Sequence, residues 1–250
     1  MNTTVTMPLD INAYLGKSDA FCQQCVLATA SPRRHVLAAV AGLTYVVRPA
    51  DIDERIIDGE TPSPYVERLA IHKGSTSATH YFEEATRPEA TICRCRKKHL
   101  VISADTVVVH GNEIFGKASD RKQAMHVLSQ LSGKTHHVLT GIAVHTLLLR
   151  SASNKKAEFE ETTLVRAKLE HKAVIKTDVH MRPYTRHMIE RYLDQNEWEG
   201  IAGSYTSQGA GSGLIARIEG SFSNVVGLPI SHLLEAIGTI VGAPLPKASV

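Results

Sequence analysis

Two acidic sites and four cations in this chain sit where they need a reason. Asp105 interrupts the apolar run "LVISADTVVV", and a carboxylate among buried apolar residues must be hydrogen-bonded, paired or bound to a metal. Set near a cleft it is a candidate for acid–base or metal chemistry; the alternative is a structurally satisfied aspartate at a strand end. Asp51, Asp53 and Glu54 in "ADIDER" form a second acidic group just beyond a strand. They read as solvated loop acids unless Asp105 lies across from them. Two carboxylates from separate elements, completed by water and phosphate oxygens, are a common way to hold Mg²⁺.

The cations complement that picture. Arg33 and Arg34 follow Ser31-Pro32 at a helix start, where the dipole disfavours positive charge. The free N–H groups there make an anion site, so Ser31, Arg33 and Arg34 suit a polyphosphate better than they suit the helix. Lys73 continues the stripe of Val66, Leu69 and Ala70, either snorkelling to the surface or meeting an anion in a cleft. Lys117 follows a glycine in "IFGKAS" and offers one more charge. Other chemistries are missing their signatures. "GAGSGL" lacks the Gly-Lys-Ser/Thr ending of a P-loop, no G-x-S-x-G elbow occurs, and the 13 histidines show no paired metal-ligand spacing. Cys22 and Cys25 with Cys93 and Cys95 have the elements for zinc, but a C-x-x-C and a C-x-C are poorly matched knuckles, and free thiols are expected.

The elements that must carry these groups alternate. "CVLATA" reads as a strand and Ser31-Pro32 as a capped helix start, with Gly42 at its end. "LTYVV" returns to strand, and Ser63-Pro64 opens a second helix. Strand is expected again at Leu100–Val109, a helix after the Asp120/Gln123 capping pair, and strand at "HHVLTGIAVHTLLL". "SASNKKAEFEE" reads as a hairpin-like return to "TTLVRAKLE". Helices are expected at 185–195 and in "PISHLLEAIGTIV". Seven glycines crowd between them from Gly200 to Gly227. The expectation is one α/β domain with a mixed sheet: an N-terminal extension over 1–24, the domain over 25–245, and a polar insertion at about 83–99. A net charge of +3 with no clustered basic face argues against nucleic acid, and "CRCRKKH" reads as a solvated loop. No leader pattern and no apolar run of membrane length are visible, which points to a soluble, cytoplasmic protein.

The blocks "LATASPRRHVLAAVAGL", "DIDE", "RLAIHKG", "SADTVV", "GKASDRKQAMHVLSQLSGKTHHVLTGIAV" and "AGSYTSQGAG…IEGSFSNVVGLPI" together resemble the Maf family of nucleoside triphosphate pyrophosphatases in order and spacing. The resemblance implies an elongated mixed sheet with two lobes around a cleft, as in inosine-triphosphate pyrophosphatases. It also implies Mg²⁺- or Mn²⁺-dependent hydrolysis of a nucleoside triphosphate to the monophosphate and pyrophosphate, in a homodimer. Carried onto this chain, Asp105 is the general base and Glu54 the metal-linked acid. Ser31, Arg33, Arg34, Lys73 and Lys117 then bind the substrate. Arg33, Thr106 and Gln208 side with the dTTP/UTP branch, since the 7-methyl-GTP branch tends to have Trp, Gln and Glu there. One amide of Gln208 offers a pyrimidine edge both donor and acceptor. Ala118 departs from the proline that commonly follows the lysine. A non-catalytic nucleotide-binding regulator of division, and a pyrophosphatase for a modified purine nucleotide, are the alternatives.

Overall fold

A computed structural model describes residues 15, 18–87, 89, 92, 93, 95, 97–152 and 161–243. The chain begins with β1 (Gln24–Leu27), α1 (Pro32–Val40) and β2 (Thr44–Val47), the two strands pairing in parallel. The 24-residue α2 (Pro62–Ala85) then leads to β3 (Lys98–His110), also parallel to β1. Beyond β3 every pairing is antiparallel. β4 (Glu113–Phe115) folds back on β3, α3 (Arg121–Leu131) follows, and β5 (Thr135–Ala152) and β6 (Glu161–Met181) form a long ladder. After α4 (Arg186–Leu193) and a 3₁₀ turn (Gly209–Leu214) come β7 (Ile215–Glu219), α5 (Phe222–Val226) and α6 (Ile230–Val241). The seven-stranded sheet runs β2-β1-β3-β5-β6-β7, with β4 beside β3. This is the mixed α/β sheet expected from the sequence: helical crossovers give the parallel pairs, a two-residue turn gives β3–β4, and β3–β5 and β6–β7 pair across segments that each contain a helix.

Both faces of the sheet are covered, and the pleat of β3 sorts its residues between them. Leu100, Ile102 and Ala104 point into a core shared with Leu37 of α1 and Leu233 and Ile237 of α6. Val108, further along that face, packs with Leu128 of α3 and Ile189 of α4. Val107 and Val109 point the other way, onto Tyr65, Val66 and Leu69 of α2, and Val101 meets Ala78 and Tyr81 of the same helix. Gly141 stands opposite Asp105 in the β3–β5 register, and there α2 passes close to the strand. A Cβ at Gly141 would lie 2.3 Å from the Val66 carbonyl oxygen, so only glycine admits the helix at this depth.

Several boundaries differ from the sequence reading. The second helix starts from Thr61-Pro62 rather than Ser63-Pro64, because both prolines fit a first turn whose N–H groups have no intrahelical partner. The stretch 83–99 begins inside the last turn of α2 and ends inside β3. "CRCRKKH" is no simple solvated loop: His99 is fully buried, and Cys93 and Cys95 are half-buried. β6 continues through "HKAVIKTDVHM", eleven residues past "TTLVRAKLE". Residues 153–160, where the hairpin-like return is expected, and most of the N-terminal extension lie outside the described residues.

Candidate active site

The two acidic groups meet at one amine. Lys73 Nζ donates to Oδ1 of Asp105 at 2.6 Å and stands 2.6 Å from Oε1 of Glu54. Three elements supply this triad: α2 gives the lysine, β3 the aspartate and the loop after β2 the glutamate. The Asp105 and Lys73 side chains are each 11% exposed, whereas that of Glu54 is 49% exposed, so the group is closed on the sheet side and open at the loop. Oδ2 of Asp105 has no hydrogen bond among the described residues. Tyr65 of α2 fixes the loop by donating its hydroxyl to the Glu54 carbonyl at 2.8 Å. Burial pulls the Glu54 carboxyl upward, but the Lys73 hydrogen bond and charge, with Lys117 and Arg34 behind them, hold it below the ordinary value. Asp53 is turned away, its carboxylate taken by Arg55. The snorkelling alternative for Lys73 therefore gives way: its amine ends between two carboxylates.

The neighbouring strand residue faces the other helix. Thr106 accepts a hydrogen bond from Arg34 Nη2 at 2.9 Å and lies 2.9 Å from the Thr140 hydroxyl. Arg34 also donates Nη1 to the Thr29 hydroxyl at 3.2 Å and Nε to the Gly227 carbonyl at 2.7 Å. Gly227 presents that carbonyl with φ of 120°, in the region favoured by glycine. Thr140 in turn donates to the Asn224 carbonyl, and the Asn224 amide donates to Val138 and Thr177. Burial lowers the Arg34 guanidinium, Asp105 pulls it back up, and Arg33 opposes that pull. Arg34 is thus a braced charge beside the carboxylates, held by three protein acceptors.

The other residues singled out in the sequence lie around this centre. Ser31 is the N-cap residue of α1, yet its side chain makes no capping hydrogen bond. Pro32 carries no N–H, so the Arg33 and Arg34 amides are the free donors of that first turn. Arg33 is partly buried beside Tyr192, whose hydroxyl accepts from the Thr206 amide at 3.3 Å. Gln208 is exposed two residues further on, and its backbone N–H donates to the Thr206 hydroxyl at 3.1 Å. Glu197 secures the turn after it by accepting from the amides of Ala210 and Gly211. Lys117 is exposed, and its charge reaches Glu54 without a hydrogen bond to it among the described residues. Thr29, Thr140, Asn224 and the Gly227 carbonyl were not singled out. Neutral groups in apolar or glycine-rich segments carry no charge anomaly to draw attention.

The chain was compared with known proteins. Residues 24–240 match the Maf-like protein family. A dTTP/UTP pyrophosphatase of Symbiobacterium thermophilum is 34% identical over 223 residues, covering 89% of this chain and 96% of that protein. Proteins of the same name from Latilactobacillus sakei and Anaeromyxobacter dehalogenans are 37% and 36% identical. They align with 85% and 88% of this chain and with 98% and 95% of their own lengths.

Proposed function

This chain belongs to the Maf family, and from that membership we infer that it is a nucleoside triphosphate pyrophosphatase acting on dTTP and UTP. The observation that carries the reading is the convergence of Glu54 and Asp105 on Lys73 beside the braced Arg34. A nucleotide sensor needs cations alone; a buried carboxylate with one oxygen held and the other open is suited to taking a proton.

In the mechanism proposed, the triphosphate lies along the α1 N-terminus with its charge met by Arg33, Arg34, Lys73, Lys117 and the Ser31 hydroxyl. Asp105 takes a proton from water on Oδ2 as the water oxygen bonds to the α-phosphorus. The α–β anhydride bond breaks, and pyrophosphate leaves with its charge neutralised by the lysines. Lys73 keeps Oδ1 engaged, which orients the carboxylate and leaves Oδ2 to meet the water. Arg33, Thr106 and Gln208 are proposed to sort the base, with the exposed Gln208 amide reading a pyrimidine edge.

A divalent ion, Mg²⁺ or Mn²⁺, fits the donors present: two carboxylates from separate elements, hard oxygen ligands, converging where a cation already sits. Glu54 and Asp105 would hold it, and it would polarise the phosphoryl oxygens. A cytoplasmic homodimer that binds neither nucleic acid nor membrane is proposed on the family resemblance; among the described residues no helix is long and apolar enough to cross a membrane. Modified pyrimidine nucleotides are proposed as further substrates, consistent with a house-cleaning role. The test is pyrophosphate release across dTTP, UTP, dCTP, GTP and 7-methyl-GTP with Mg²⁺. Release from dTTP and UTP, abolished in Asp105→Asn, is expected. Undiminished turnover in that variant, or turnover of purine nucleotides alone, overturns the reading.

A further inference from the structure

At the far end of β3 from Asp105, four metal-ligating side chains from three segments meet. Cys22 precedes β1, Cys93 and Cys95 lie in the connector after α2, and His99 begins β3. Their donor atoms all lie within 4.8 Å of one another. Cys22 Sγ is 3.5 Å from Cys93 Sγ, and Cys95 Sγ is 3.7 Å from His99 Nε2. With Zn–S of about 2.3 Å and Zn–N of about 2.0 Å, a tetrahedral site has S···S edges of about 3.8 Å and S···N edges of about 3.5 Å. The Cys22–Cys93 and Cys95–His99 spacings match those edges to within a few tenths of an ångström, and the other pairs lie within 4.8 Å.

We propose that Cys22, Cys93, Cys95 and His99 form a structural zinc site that fastens the connector 86–97 to the end of the sheet. Three thiolates and one imidazole are a soft set that selects zinc over Mg²⁺. Because protein groups fill all four positions, no place is left for a reactive water, which marks the site as structural rather than catalytic. It lies six residues along β3 from Asp105, about 20 Å at the rise of an extended strand.

The surroundings support a ligand role. The Tyr81 hydroxyl donates to the Cys93 carbonyl at 3.1 Å and lies 3.4 Å from His99 Nδ1, with the two rings 5.4 Å apart. With its proton committed to the carbonyl, that hydroxyl is an acceptor for Nδ1–H. The His99 tautomer then has Nε2 free to ligate, oriented by a partner behind it as metal-bound histidines are. The backbone is anchored too: the Cys22 amide donates to the Lys98 carbonyl, and the Lys98 amide to the Ala20 carbonyl, each at 2.8 Å. Ile92 packs into the cluster containing Tyr81, Ala85 and Leu147. The pairing suggested by the C-x-x-C spacing is not the one formed. Cys25 is fully buried in the main core, and His99 takes the fourth place.

The inference is independent of the nucleotide reading. The whole chain, purified under reducing conditions, is expected to carry about one zinc per molecule by elemental analysis. Cobalt substitution is expected to give the visible absorption of tetrahedral thiolate ligation. Cys95→Ser and His99→Ala should lose the metal, while Cys25→Ala keeps it. A strong chelator should lower the melting temperature by at least about 5 °C, restored by Zn²⁺ and not by Mg²⁺. Metal-free protein whose melting temperature ignores zinc overturns the proposal, as does a Cys22–Cys93 disulfide in the native protein.

Discussion

Lys73 donates to Asp105 across the α2–β3 interface at 2.6 Å, with both side chains almost wholly covered. Neither partner is stable there alone. Lys73→Met leaves a buried carboxylate uncompensated and is expected to cost about 3 kcal/mol in urea unfolding near pH 8. The kcat should fall at least about a hundredfold, because the group taking the proton loses its orientation. A variant of wild-type stability and turnover would show that the pair is incidental.

Arg33 and Arg34 are adjacent but are expected to fail differently. Arg34→Ala removes donors from Thr29, Thr106 and Gly227, so stability and kcat should both fall, the former by about 2–3 kcal/mol. Arg33→Ala should change unfolding by less than about 1 kcal/mol while raising KM for the triphosphate severalfold. Thermal melts and steady-state kinetics on both variants separate a brace from a ligand.

The close approach of α2 gives a prediction that changes no charged side chain. Gly141→Ala places a methyl against the Val66 carbonyl, and the helix must lift to admit it. A stability loss of about 1–3 kcal/mol is expected from overpacking. Lys73 rides on the same helix, so kcat should drop more than KM changes.

Gln208 is exposed, and Gln208→Glu should unfold within about 0.5 kcal/mol of wild type. Its effect is expected in selectivity: kcat/KM for dTTP and UTP should fall about tenfold or more, because a carboxylate offers a pyrimidine no donor. An unchanged substrate panel would remove this position from base recognition.

Acid should find a weak point away from the site. Burial pushes His136 down to about 3, with His110, His137 and His180 adding repulsion, and its Nε2 lies 2.7 Å from the Tyr205 hydroxyl. The unfolded chain takes up this proton below about pH 6.5, and the folded chain does so only near 3. Stability contributed by the neutral ring is therefore present above pH 6.5 and lost as pH falls toward 3, by up to about 1.4 kcal/mol per unit. Denaturant melts from pH 7 to 4.5 should show a shallower decline in His136→Gln.

Charge anomalies in the sequence pointed to residues that the structure brings together. Asp105 inside an apolar strand and Lys73 on an apolar stripe each look misplaced alone, and each explains the other once α2 lies on β3. The α/β class and the mixed sheet followed from apolar periodicity, which is local. What stayed hidden depends on contacts distant in the chain. The bracing of Arg34 needs a carbonyl 193 residues away, and nothing in "SPRR" reports it. The cysteine cluster was obscured because spacing favoured Cys25, whereas strand direction buries Cys25 and turns His99 to the thiols. The helix start moved by two residues because two prolines gave equivalent local signals.

That 193-residue span from Arg34 to Gly227 also bears on when the protein acquires its charge arrangement during synthesis. α1 leaves the ribosome early, but the carbonyl that holds its arginine arrives only with the segment after β7, together with the Asn224 that braces Thr140. A growing chain can pair β1, β2 and β3 and bring Lys73 to Asp105 long before that. Until the segment carrying Asn224 and Gly227 docks, Arg34 lacks one of its three acceptors. The full bracing of Arg34 is therefore completed only when this later segment packs against α1.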